Sequence, residues 1–173
     1  MNRYPDHTVL NLRGNVNTRL TKVASNNWNG AIFAAAGLER IDLRPPNSID
    51  LEWMLPAPAQ GAIMVVCREE DEYSMKASNH FNHPETALCT KIEREFLNGL
   101  LGGCSTPISA LVQIKDGRVY FEGNILSVDG REKVSIERST GKEEVANFGR
   151  TIAEEILNNG GQKIADGIRN ATK

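Results

Sequence analysis

Two sets of residues in this chain have types and spacing suited to chemistry. The first is the run Leu100-Leu101-Gly102-Gly103-Cys104-Ser105-Thr106-Pro107, where an apolar helical pattern stops at two glycines and a cysteine follows at once. The glycines supply a left-handed cap and a backbone with no side chains beside the sulfur, and Pro107 keeps the helix from resuming. A thiol placed this way is presented rather than packed, and a presented thiol can serve as a soft nucleophile if its pKa and access allow. A helix cap whose next residue happens to be cysteine reads the same, so this stretch alone leaves both open. The second set is Arg13, Arg19 and Arg40, whose guanidiniums suit carboxylates or phosphates because each can bind them through two parallel hydrogen bonds. Three solvated surface arginines are the plainer alternative.

The elements that must position these residues follow from the apolar pattern. Residues 8–12 read as a strand, Arg13-Gly14-Asn15 as a turn, and Val16, Leu20 and Val23 as the stripe of a short helix. A second unit follows, with the apolar run 31–36 as a strand covered on both faces and Gly37-Leu38-Glu39-Arg40 as the start of another short helix. Two such units predict a parallel sheet, with Arg13 and Arg40 near the carboxyl ends of its strands, where open α/β sheets bind ligands, and Arg19 one turn into the first helix. Two parallel strands are not viable alone, so the first half reads as an incomplete domain, a fragment. Prolines 45, 46, 56 and 58 then bracket a possible strand over 49–55, and Gln60-Gly61 leads into a buried strand over 62–67, the whole forming a crossover. Gln60-Gly61 could approach a ligand with its backbone, though a plain turn is the commoner role for glycine. Cys67 reads as a small core hydrophobe and Glu69-Glu70-Asp71-Glu72 as a solvated acidic patch.

A composition break over 78–84 opens the second half, so the domains are expected at 1–77 and 78–173. Pro84 suits the first turn of a helix, and Leu88, Ile92, Phe96, Leu97 and Leu100 give it one buried face that delivers Cys104 at its end. Cys89 sits inside that helix as a structural residue, and His80 and His83 at its start read as loop or capping residues, so no metal site is expected. After Pro107 the period becomes two: Val112 and Ile114, then Val119, Phe121 and Ile125, then Val134 and Ile136, with turns at Asp116-Gly117 and Asp129-Gly130. That predicts a three-stranded antiparallel meander with one wet face. The stripe Val145, Phe148, Ile152 and Ile156 predicts a covering helix ending near Gly160-Gly161, and Ile164 and Ile168 one more.

Composition narrows the function classes. A chain of 173 residues, 40% hydrophobic, can bury a core, and a net charge of −2 argues against a general nucleic-acid or membrane-surface binder. Three cysteines, far apart and without a Cys-x-x-Cys pair, suggest neither a disulfide framework nor structural zinc and fit a reducing, cytoplasmic setting. The N-terminal run has no apolar h-region, and no stretch is long and apolar enough to span a bilayer.

Taken together, Arg13-Gly14-Asn15-Val16-Asn17-Thr18-Arg19-Leu20, Ala36-Gly37-Leu38-Glu39-Arg40, Pro58-Ala59-Gln60-Gly61-Ala62 and Leu101-Gly102-Gly103-Cys104-Ser105-Thr106-Pro107 resemble, in order and spacing, the successive signatures of the porphobilinogen deaminases, also called hydroxymethylbilane synthases. The resemblance implies a transferase of tetrapyrrole biosynthesis that condenses four porphobilinogen molecules head to tail with loss of ammonia and releases hydroxymethylbilane. It implies that Cys104 anchors a dipyrromethane cofactor through a thioether, and that Arg13, Arg19, Arg40, Gly37, Gln60 and Gly61 bind that cofactor and the growing pyrrole chain. It implies α/β plus α+β architecture: a periplasmic-binding-protein-like parallel sheet followed by a small domain with a three-stranded antiparallel sheet. The partners implied are porphobilinogen and pyrrole oligomers, with a monomer for the full-length family member and self-association open to the fragment. The sequence departs from the family in its missing front, which carries the aspartate that handles protons, so no catalytic residue is expected here and the chain alone is expected to be inactive. Two readings from other classes are a non-catalytic anion-binding module of the periplasmic-binding type, and a structural fragment that pairs with a neighbour through exposed edges.

Overall fold

Asn15 starts the first helix. Its side chain accepts the Thr18 N–H at 2.8 Å, and α1 (Val16–Ser25) follows in this computed structural model, which describes residues 1–100 and 106–171. Gly14 precedes the cap at φ 125°, a conformation that favours glycine. A shorter helix, α2 (Ala35–Glu39), contributes the buried Leu38. Residues 6–52 make one compact unit, closed by Arg44, which donates to Glu39 at 2.6 Å and to Asp50 at 2.7 Å.

The second unit contains residues 1–5 and the chain from Trp53 onward. Its helix α3 (Glu72–Asn79) is capped by Asp71, which accepts from both the backbone N–H and the hydroxyl of Ser74, and these bonds hold the Asp71 carboxyl below the ordinary range. Helix α4 (Pro84–Gly99) begins with His83 accepting the Thr86 N–H and Pro84 in the first turn, where a missing N–H costs nothing. Strands β1 (Ile108–Lys115), β2 (Arg118–Leu126) and β3 (Lys133–Gly141) form the antiparallel meander in that order. Asp116 and Gly117 between β1 and β2 are both left-handed, as a two-residue hairpin loop requires. Helices α5 (Phe148–Ile156) and α6 (Gln162–Ala171) follow, joined through a kink at Gly160 with φ 103°.

Helices α4, α5 and α6 lie on one face of the sheet. Ile92 and Phe96 of α4, Phe121 and Ile125 of β2, and Ile152 and Ile156 of α5 are each at most 1% exposed, and burying each such side chain stabilises by about 1.5–3 kcal/mol. Glycine permits the close crossing of α4 and α5: a Cβ on Gly149 would stand 2.2 Å from the Ile92 carbonyl oxygen. On the outer face Gln113, Tyr120, Glu122, Ser135 and Glu137 are exposed, so the predicted wet face is present. Residues 1–5 join this unit through Asn2, whose side-chain amide donates to the Arg131 carbonyl at 2.9 Å, and through Arg3, stacked 4.6 Å from the Trp53 ring centre.

The meander, the helix delivering Leu100 and the two covering helices follow the sequence expectations. The first half does not. Segments 8–12, 31–36, 49–55 and 62–67, predicted as strands, form no strand here; the end of the second belongs instead to α2, and the only sheet among the described residues is the meander. The physical reason is that a strand exists only where a neighbour takes up its backbone N–H and C=O groups, and no described segment does so. Ile63 is accordingly 91% exposed and Val66 80% exposed, and Cys67, expected to pack as a core hydrophobe, is exposed as well.

Candidate functional site

Within the unit formed by residues 6–52, the three predicted arginines differ in how far they are committed. The Nε of Arg19 donates to the Gly14 carbonyl at 2.7 Å, which folds its side chain back over the turn before α1. Lys22, expected to be simply solvated, donates to the Arg13 carbonyl at 3.0 Å and tightens the same turn. Arg13 and Arg40 are exposed, and among the described residues no hydrogen bond or ion pair engages either guanidinium. Arg44, four residues further on, is the contrast: Glu39 and then Asp50 raise its already high pKa and neutralise it, so it is unsuited to an external anion. Gly37 lies inside α2, half-buried, with open space where a Cβ would be. A free guanidinium can pair with a carboxylate or phosphate through two parallel hydrogen bonds.

The second group of predicted residues is a tight turn in the other unit. The Ala57 N–H donates to the Gln60 side-chain oxygen at 2.9 Å and the Gln60 N–H returns to the Ala57 carbonyl at 2.9 Å. Ala59 and Gly61 are both left-handed, at φ 60° and 85°; this is free for the glycine and unusual for the alanine. Gln60 and Gly61 are exposed at its tip. Cys104, the predicted anchor, lies outside the described residues.

Glu93 holds this turn, and the sequence reading passed over it. The side chain sits on α4 and is 6% exposed; one carboxylate oxygen accepts the Ala59 N–H at 2.7 Å and the other accepts the Val112 N–H at 2.8 Å. Burial pushes its carboxyl above the ordinary glutamate range, while the two backbone donors pull it back down. Beside it the Ala110 N–H donates to the Pro56 carbonyl at 3.1 Å, so the outer edge of β1 is covered by the 56–59 segment and the Glu93 carboxylate. A signal existed: Glu93 stands four residues after Cys89 and three before Phe96, on the apolar stripe, where an acidic residue must find donors.

The two described cysteines are distinct. Cys89 is half-buried, and burial, then the nearby charges of Glu93 and Glu85, push its thiol above the usual range, which agrees with a structural role. Cys67 is exposed. Treated with a thiol reagent at neutral pH, Cys67 should be labelled well before Cys89 in a peptide map; equal rates would contradict this ordering.

A helical unit with exposed arginines, and a separate unit in which three helices cover a three-stranded antiparallel sheet, are what this geometry defines. Two family models match in chain order: porphobilinogen deaminase, dipyromethane cofactor binding domain, over residues 1–76, and porphobilinogen deaminase, C-terminal domain, over residues 87–158. The chain is 37% identical over 166 residues to the porphobilinogen deaminase of Pelobacter propionicus, covering 95% of this chain and 54% of that protein. It is 37% identical over 168 residues to that of Thermus thermophilus, covering 95% and 56%, and 36% identical over 162 residues to that of Geotalea uraniireducens, covering 92% and 51%. The chain belongs to the porphobilinogen deaminase family, and it spans about half the length of these curated relatives.

Proposed function

We propose that the chain carries the cofactor-binding region and C-terminal domain of a hydroxymethylbilane synthase, a cytoplasmic transferase of tetrapyrrole and heme biosynthesis that joins four porphobilinogen units with loss of ammonia. The observation that carries this reading is the pair of family models matched in order along the chain. Their spans also support a boundary near residue 78, dividing a periplasmic-binding-type α/β region, 1–77, from an α+β domain, 78–173. In that reading the apolar segments 8–12 and 62–67, which form no strand here, would find cover from neighbours in the rest of the family's length.

The residues present fit a dipyrromethane. Arg13 and Arg40 offer uncommitted guanidiniums and Arg19 its terminal nitrogens, matching the acetate and propionate groups that every pyrrole unit carries. Gly37 in the one unit, and Gln60 and Gly61 in the other, would each let backbone approach a ligand. Cys104 would hold the cofactor, its sulfur being the soft nucleophile that a thioether to a pyrrole methylene would require, with the amine and the thiol proton leaving as ammonia. When bound, the cofactor supplies the pyrrole carbon to which the next unit is joined.

Proton handling is the function this chain does not supply in our reading. Glu93, the buried carboxylate, has both oxygens occupied by backbone donors, and Glu39 and Asp50 are spent on Arg44. The isolated 173-residue chain, incubated with porphobilinogen and assayed for linear tetrapyrrole, should therefore form none. Measurable formation would place the general acid within this chain and overturn that part of the assignment.

A further inference from the structure

We propose that Glu93 is a positioning residue that sets the Ala59–Gly61 turn, and through it couples the ligand-facing backbone to the helix whose chain continues to Cys104. Three observations converge. Ala59 is held left-handed at φ 60°, a conformation an alanine keeps only where its surroundings fix it. The group that fixes it is the Glu93 carboxylate, which accepts the Ala59 N–H at 2.7 Å from a position 6% exposed, where water competes poorly for the bond. The other oxygen of the same carboxylate is spent on Val112 of β1 at 2.8 Å, so Glu93 ties α4, the sheet edge and the turn at one point. The geometry is specific to a carboxylate: glutamine in its place would turn an NH₂ towards one of two N–H donors and lose one of the bonds. That Gln60 and Gly61 face the cofactor rests on the function proposed above; that Glu93 sets their conformation does not.

The test is nuclear magnetic resonance on the full 173-residue chain without any pyrrole present, so it succeeds or fails independently of the porphobilinogen experiments. In the unmodified protein, couplings across the hydrogen bonds should link the amide nitrogens of Ala59 and Val112 to the side-chain carboxyl carbon of Glu93. In Glu93→Gln, the Gln60 and Gly61 amide signals should move, and exchange at Ala59 should quicken by roughly tenfold to a hundredfold, as expected for loss of a charge-assisted bond. Exchange at Phe121 and Ile125 should stay as it was. Adding Ala59→Gly to Glu93→Gln should return the Gln60 and Gly61 signals towards their original positions, because glycine adopts the left-handed conformation without help. Absence of both couplings, unchanged Gln60 and Gly61 signals in Glu93→Gln, or equal acceleration across β2 would each overturn the proposal.

Discussion

Cys104→Ala should remove every trace of a covalently held pyrrole. The measurement is the intact mass of a version extended to the full length of the relatives, after exposure to porphobilinogen: the parent should gain a mass corresponding to two pyrrole units, and the variant none. The effect is all or nothing because a thioether needs its sulfur, and a methyl side chain offers no electron pair to the methylene carbon. Neither remaining cysteine is a ready substitute. Cys89 is half-buried on α4 with its thiol pushed upward by burial and by Glu93. Cys67 is exposed but lies outside the Gly-Gly-Cys run, and no glycine pair clears the backbone beside it. If the Cys104→Ala protein kept both adduct and activity, the anchor would have to be reassigned, and the run at Gly102-Gly103 would be only a helix cap.

The largest effect on stability should come from Phe96→Ala. Phe96 is fully buried, and its ring meets that of Phe121 edge-on, with centroids 4.9 Å apart and planes at 63°. The space these rings share is left open by Gly123, on the same face of β2, where a Cβ would stand 2.6 Å from the Phe121 ring and 3.1 Å from that of Phe96. A glycine cannot extend into the void left by a lost phenyl group, so the cavity would persist. Truncation of such a residue costs about 3–5 kcal/mol, a large share of the roughly 5–15 kcal/mol that holds a domain together. Urea unfolding should show a strongly lowered midpoint at 25 °C, and a loss below about 1 kcal/mol would mean that the helices collapse onto the sheet more readily than this packing implies.

What could be read from the sequence depended on where each residue finds its partners. The meander and its helices were legible because they are local: each strand pairs with the next one along the chain, so alternation at Val119, Phe121 and Ile125 and the Asp116-Gly117 turn suffice to set the register. The segments 31–36 and 62–67 have the composition of buried strands, yet apolar composition states only a demand for cover, which their own neighbours in this chain do not meet. Helix α3 was hidden because its start signal, Asp71 with Ser74 three residues on, sits inside an acidic run that reads as a solvated patch. Of the candidate site, the arginines and the 57–61 turn were visible as types and spacing. The role of Glu93 was not, since its two donors, Ala59 and Val112, lie far from it along the chain and only the fold brings them together.

The contact between residues 1–5 and Trp53 has a topological consequence. Tyr4 and Trp53 stand 5.7 Å apart ring to ring, with Arg3 stacked on the Trp53 ring, so the chain leaves one unit and returns to it at almost the same point. Residues 6–52 are therefore an excursion spliced into another unit, and the aromatic clamp is the clasp of that loop. Closing a loop of such length carries an entropic cost that grows only slowly with the number of residues enclosed. A clasp of two rings and a guanidinium thus sees little change in its own equilibrium from a modest change in the number of residues enclosed.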